Sequence, residues 1–157
     1  MLIGSQHSES LKNFFSGLSF ETIFVDKLDW RDPACVARAI HGYQFDIGLM
    51  PLVDSVFNRA KCAFKAIEYM ACGVPVVASD VGENAIAVEH GKTGLLVNTQ
   101  KEWVTAIETL LADHGLRKEM GEAGQQRVKN YYSYESVLPA YRNFFASFLI
   151  DHTAFIL

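Results

Sequence analysis

Five short apolar runs, at residues 1–5, 22–25, 47–50, 74–78 and 94–97, constrain this chain more than any other feature. Each is too short for a helix, and most lack the polar alternation of a half-exposed strand, so they read as strands buried on both faces. Helical patterns separate them, at residues 9–15, 33–41, 62–71 and near 83–89. The second is predicted to start with Asp32 as cap and Pro33 at the first helical position. Strand and helix in strict alternation predict an α/β fold, a doubly wound, Rossmann-like parallel sheet flanked by helices. After Val97 the pattern is helical throughout, over 100–112, 114–130 and 134–150, so the chain is expected to end in an all-helical segment.

With 157 residues, half of them hydrophobic and a fifth charged, the chain can bury one core. We expect a single domain over residues 1–150 and a tail, 151–157, to which the sequence assigns no role. The 18 acidic residues outnumber the 14 basic ones, for a formal charge of −4. No global positive field exists to attract nucleic acid or anionic lipid, so any anion site must be local. Cys35, Cys62 and Cys72 lack the dense spacing of a secreted disulfide framework. The opening MLIGSQHSES lacks the charged start and apolar core of a signal peptide, and no apolar run reaches the twenty or so residues of a membrane span. The expected location is therefore the cytoplasm.

Ligands of a doubly wound sheet sit beyond the carboxyl ends of its strands, which directs attention to the turns after Met50, Ala78 and Val97. After the first, a long loop feeds a helix whose first turn is expected to hold Lys61 and Lys65. A helix N-terminus offers unpaired N–H groups and a positive dipole end, and lysines there add point charge for a phosphate. Glu68 lies one turn beyond Lys65, within reach of a ribose attached to that phosphate; alternatively the two form a solvated helix pair. After Ala78, Ser79 or Asp80 and the small Gly82 open another helix, with Glu83 and Asn84 following, and Gly82 would let a ligand approach the backbone. Gly73 reads as a helix stop, and HGKTG as a turn with Lys92 and Thr93 exposed. The five histidines show no metal-ligand spacing, and no G-x-S-x-G turn, P-loop or three-glycine dinucleotide fingerprint is present.

The run CAFKAIEYMACGVPVVASDVG, followed by EHGKTGLLV, preceded by FDIGLMPL and continued by LRKEMGEAGQQRV, resembles the donor-binding half of group 1 (family 4) glycosyltransferases. The resemblance implies the GT-B fold, with this chain matching an N-terminally truncated C-terminal, nucleotide-sugar-binding domain. It implies sugar transfer from a nucleotide-diphosphate sugar with retention of configuration, no bound metal and no other cofactor. The ribose-gripping glutamate of that family falls on Glu68. A second family glutamate, eight positions earlier, falls on Ala60; Lys61 and Lys65 are then expected to meet the diphosphate or sugar, with Asp54 a further candidate. Backbone groups over 80–84 complete the expected donor site. No residue is assigned a catalytic role.

The family's first domain, its acceptor site and the strand and phosphate clamp that open its donor domain have no counterpart here. The strands should then form two groups separated by a gap, unless 1–5 re-pairs directly with 47–50 or another chain supplies the missing strand; failing these the chain is only partly folded. An acceptor domain, a separate subunit or self-association is the expected partner, with peripheral membrane contact unsupported. Val137, Tyr141, Phe144, Phe145 and Phe148 share one face of the last helix, which either packs on the core or awaits another domain. The alternative to an enzyme is a non-catalytic nucleotide-binding or partner-binding module derived from one.

Overall fold

A computed structural model describes residues 2–3, 9–25, 27–29 and 31–152. The chain divides into two compact units, Met1–Gly42 and Tyr43–Leu157. In the first, β1 (Leu2–Ile3) is followed by α1 (Glu9–Ser16), β2 (Phe24–Val25) and α2 (Cys35–Gly42), and β1 pairs parallel to β2. The rest of the first predicted strand, Met1, Gly4 and Ser5, lies outside the described residues. Asp32 does not cap α2 at once. Its carboxylate accepts from the Ala34 N–H at 3.0 Å and forms a turn, so the helix starts at Cys35, two residues later than the Pro33 rule predicts.

The second unit holds β3 (Gly48–Met50), α3 (Val56–Arg59), α4 (Phe64–Ala71), β4 (Val76–Ser79), α5 (Asn84–Ala87) and β5 (Gly94–Val97), then α6 (Gln100–Ala112), α7 (His114–Tyr131) and α8 (Tyr134–His152). Its sheet has the order β3-β4-β5, all parallel, with Leu49 opposite Val77 and Val77 opposite Leu95. β4 is central and every one of its residues is buried, which is why VVAS carries no polar alternation. Met50, Ala66, Met70, Val76, Ala78 and Val88 pack on one side of it, and Val77, Val97, Ala106, Leu110 and Met120 on the other. The architecture is the α/β fold expected, and the described strands form two groups, β1-β2 and β3-β4-β5.

Close backbone approaches explain several glycines. α4 ends in a Schellman motif: Gly73, at φ +75°, donates to the Met70 carbonyl, and Val74 to that of Tyr69. Against this turn lies α7. A β-carbon on Gly121 would stand 2.0 Å from the Gly73 carbonyl oxygen, and one on Gly124 would meet the Met70 side chain. At Gly48 the missing side chain makes room for the Tyr69 ring, 2.3 Å from an ideal β-carbon. Side-chain caps fix the later helices: Thr99 and Glu102 form a complete capping box on α6, and Asp113 accepts from the Leu116 N–H on α7.

Three expectations are corrected. Thr93 is buried rather than exposed, because its hydroxyl accepts from the Glu89 N–H at 2.9 Å and closes the turn into β5. The helix near 83–89 shrinks to the single turn α5, whose last carbonyls, Ile86 and Ala87, accept from the Arg127 guanidinium of α7. On α8, Tyr141, Phe144, Phe145 and Phe148 are all more than half exposed, so the aromatic face does not pack on the core.

Candidate functional site

The carboxyl ends of β3, β4 and β5 open onto one cavity of about 400 Å³. Pro51, Leu52, Val53 and Asp54 line it from the segment after β3, Ser79 and Val81 from the end of β4, and Val97, Asn98 and Trp103 from the end of β5 and the start of α6. The three turns singled out in the sequence therefore share one opening. Lys61, Lys65, Glu68, Asp80, Gly82, Glu83 and Asn84 do not line it.

Lys65 sits in the first turn of α4 as expected, whereas Lys61 does not. The residues after Met50 form an extra turn, α3, capped by the Ser55 hydroxyl, which accepts from the Asn58 N–H at 3.2 Å. This delays α4, so Lys65 occupies its first turn while Lys61 lies before it, its ammonium 4.8 Å from the centre of the Phe57 ring. Ala63, the residue at the N-cap, has no side-chain acceptor to offer. The first N–H groups of α4 thus have neither intrahelical nor capping partners.

Glu68 is half-buried on the same helix. Burial pushes its carboxyl above the usual carboxylate range, and the charge of Lys65 pulls it partly back. Its own charge, together with burial, raises Tyr69 and Cys72. Cys35, Cys62 and Cys72 are all free thiols.

Asp80 and Glu83 are exposed, and the Asp80 N–H is spent on the Val97 carbonyl at 3.1 Å. Asn84 is buried, and its side-chain amide donates to the Ser79 carbonyl at 3.0 Å, so it braces the turn from within. Gly82 adopts φ +55°, and a β-carbon there would lie 2.6 Å from the Arg59 carbonyl oxygen. The space its missing side chain leaves is taken by α3 rather than left to a ligand. Asp54 forms a two-pronged ion pair with Arg59, at 2.5 and 2.7 Å, which holds its carboxyl below the usual range.

From the sequence, Ser79 was read, with Asp80, only as the opening of a helix, while Arg59, Asn98 and Trp103 were passed over. Ser79 had a signal, since it directly follows Ala78 at a strand's carboxyl end. The Ser79 hydroxyl accepts from the Leu52 N–H at 2.8 Å, across 27 positions. Among the described residues no cluster of three or more His, Cys, Asp and Glu could hold a metal ion, and no helix is long and apolar enough to cross a membrane.

A parallel sheet flanked by helices, with a cavity at the carboxyl ends of its strands, defines a Rossmann-like α/β domain. Comparison makes the class specific. Residues 1–113 match the family described as glycosyl transferases group 1, and the chain belongs to that family. A D-inositol 3-phosphate glycosyltransferase of Pseudarthrobacter chlorophenolicus is 39% identical over 87 residues, which are 54% of this chain and 20% of that protein. Sucrose-phosphate synthase from Thermosynechococcus elongatus aligns with a TM-score of 0.67 and 30% identity, over 88% of this chain and 34% of its own. HepE of Anabaena, solved in complex with UDP and glucose, shares the fold with a TM-score of 0.68 at 20% identity, over 92% and 38%. The chain spans about a fifth of the curated relative and a third of the solved ones. Its fold is that of GT-B glycosyltransferases.

Proposed function

We propose that the chain is the donor-binding part of a glycosyltransferase that takes a sugar from a nucleoside-diphosphate sugar. The observation that carries this is the start of α4: unpaired N–H groups, Lys65 in the first turn with Lys61 just ahead of it, and a half-buried carboxylate, Glu68, one turn on. A diphosphate at the helix start is met by the lysines and the N–H groups, and Glu68 accepts the ribose hydroxyls. The loop 80–84, braced by Asn84, is the further candidate for meeting the donor through its backbone groups. Relatives named for glycosyl transfer, and HepE's complexes with UDP and glucose and with UDP-glucose, support the donor class.

In this reading, charge growing on the departing diphosphate is offset by Lys61, Lys65 and the helix N–H groups, without a bound metal. Each such preorganised donor typically lowers the barrier by about 3–4 kcal/mol. Retention of configuration follows from the family resemblance. The acceptor site and the residue that activates the acceptor belong to another domain or subunit.

Titration of UDP, GDP and ADP, each with and without an attached sugar, against the backbone amide signals of the chain tests the site. The expected outcome is that one nucleotide shifts Lys61, Lys65, Glu68 and the amides of 80–84. The absence of any shift at millimolar nucleotide would remove the proposal.

A further inference from the structure

The segment from Pro51 to Lys61 is tied to itself more than to the core. Asp54 grips Arg59, the Asn58 amide donates to the Val53 carbonyl at 2.8 Å, and the Ser55 hydroxyl caps α3. Yet Val53, Val56 and Phe57 are each more than 70% exposed, so burial does not hold this knot in place. Leu52 packs on the core beside Met50 and Ala78, and two further points attach the segment to the end of β4. One is the bond from the Leu52 N–H to the Ser79 hydroxyl. The other is the seat of the Arg59 backbone on Gly82, where an ideal β-carbon would come within 2.8 Å of the Arg59 α-carbon. Ser79 is itself immobilised, being buried in the central strand with its carbonyl held by Asn84.

Resting on the donor-binding reading, we infer that Ser79 and Gly82 are positioning residues: together they pin the α3 segment to β4 and so set where Lys61 stands relative to the start of α4. The two pins lie at opposite ends of the segment. With both in place the knot cannot swing, and Lys61 is presented to an anion at α4 without being ordered by it. Because the contribution of a charged contact depends on placement to within about half an ångström, loss of either pin weakens the site although no group that touches the ligand is removed.

The test uses the full chain with Ser79→Ala, which deletes the hydroxyl, and Ser79→Thr, which keeps it. Hydrogen exchange without ligand reads the pin directly. In Ser79→Ala the amides of Leu52, Arg59 and Lys61 should exchange roughly tenfold faster, those of β4 and β5 should stay protected, and Ser79→Thr should restore the wild-type rates. Affinity for UDP, GDP or ADP, whichever the wild type binds, should fall roughly tenfold in Ser79→Ala and recover in Ser79→Thr. Unchanged exchange in Ser79→Ala overturns the pin. Faster exchange with unchanged affinity overturns the positioning role. If the wild type binds none of the nucleotides, the donor reading falls and takes the positioning role with it, whereas the exchange result still decides the pin. Should Ser79→Ala lose protection in β4 and β5, Gly82→Ala carries the same two measurements, since its β-carbon must displace Arg59.

Discussion

Glu68 is a carboxylate kept where the fold penalises its charge. Exposed helix positions were open to the chain, and a half-buried acid whose pKa is raised by desolvation costs stability unless it serves a ligand. The sign is definite. Below the ordinary carboxylate pKa the group is neutral in both folded and unfolded chains, and its contribution is fully present. As pH rises through the raised folded value, the unfolded chain ionises more readily and stability is lost. Urea titrations of wild type and Glu68→Gln should therefore converge in acid, and the variant should gain on the wild type toward neutral pH. The same substitution should weaken nucleotide binding by about 1–3 kcal/mol, the usual contribution of hydrogen bonds to a charged group, as measured by calorimetry. Equal affinities would return Glu68 to the role of a structural residue.

At the scale of elements, α7 provides a test in which the ordinary expectation has the opposite sign. Replacing a mid-helix glycine with alanine normally stabilises by about 1 kcal/mol. At Gly121 the added carbon meets a backbone oxygen, so Gly121→Ala should instead destabilise by about 1–3 kcal/mol in chemical denaturation. Stabilisation would mean that α7 does not lie on the α4 turn. Gly121 also shows what could be read from the sequence and what could not. Strands and long helices were legible because burial on both faces and 3.6-residue periodicity are local signals, and α6 begins and ends where its pattern does. α3 was not legible. Its four residues, VFNR, have too short a pattern to show a period, and the Ser55 cap was the only cue. Missing that turn displaced Lys61 from the helix. The pin at Ser79 and the close approach at Gly82 arise between segments far apart in sequence, where no periodicity reaches. Glu68 is singled out by resemblance alone, since spacing leaves it indistinguishable from a partner of Lys65.

Across the whole molecule, the described strands leave edges unmet. Among the described strands of the second unit, β3 pairs with β4 alone, and Leu49 of β3 is exposed. On α8, Tyr141, Phe144, Phe145 and Phe148 turn aromatic area outward, and the Phe144 ring stacks edge-on only with its own helix neighbours. Open strand edges and contiguous apolar patches drive association. Sedimentation of the isolated chain should therefore show self-association at micromolar concentration, and hydrogen exchange should find β3 less protected than β4. A monomer with equal protection in both strands would defeat this expectation.

The contact between Gly121 and the Gly73 carbonyl has a consequence for the history of this sequence. Gly73 is confined to glycine by its backbone angle, and Gly121 by the oxygen that this angle turns toward it. Neither position can drift first. Any descendant that gains a side chain at Gly121 must already have reshaped the turn at Gly73, a change that would lengthen or unwind the helix carrying Glu68. The two positions should therefore behave as an epistatic pair in a mutational library, with substitutions at Gly121 tolerated only in backgrounds where the α4 turn has been rebuilt.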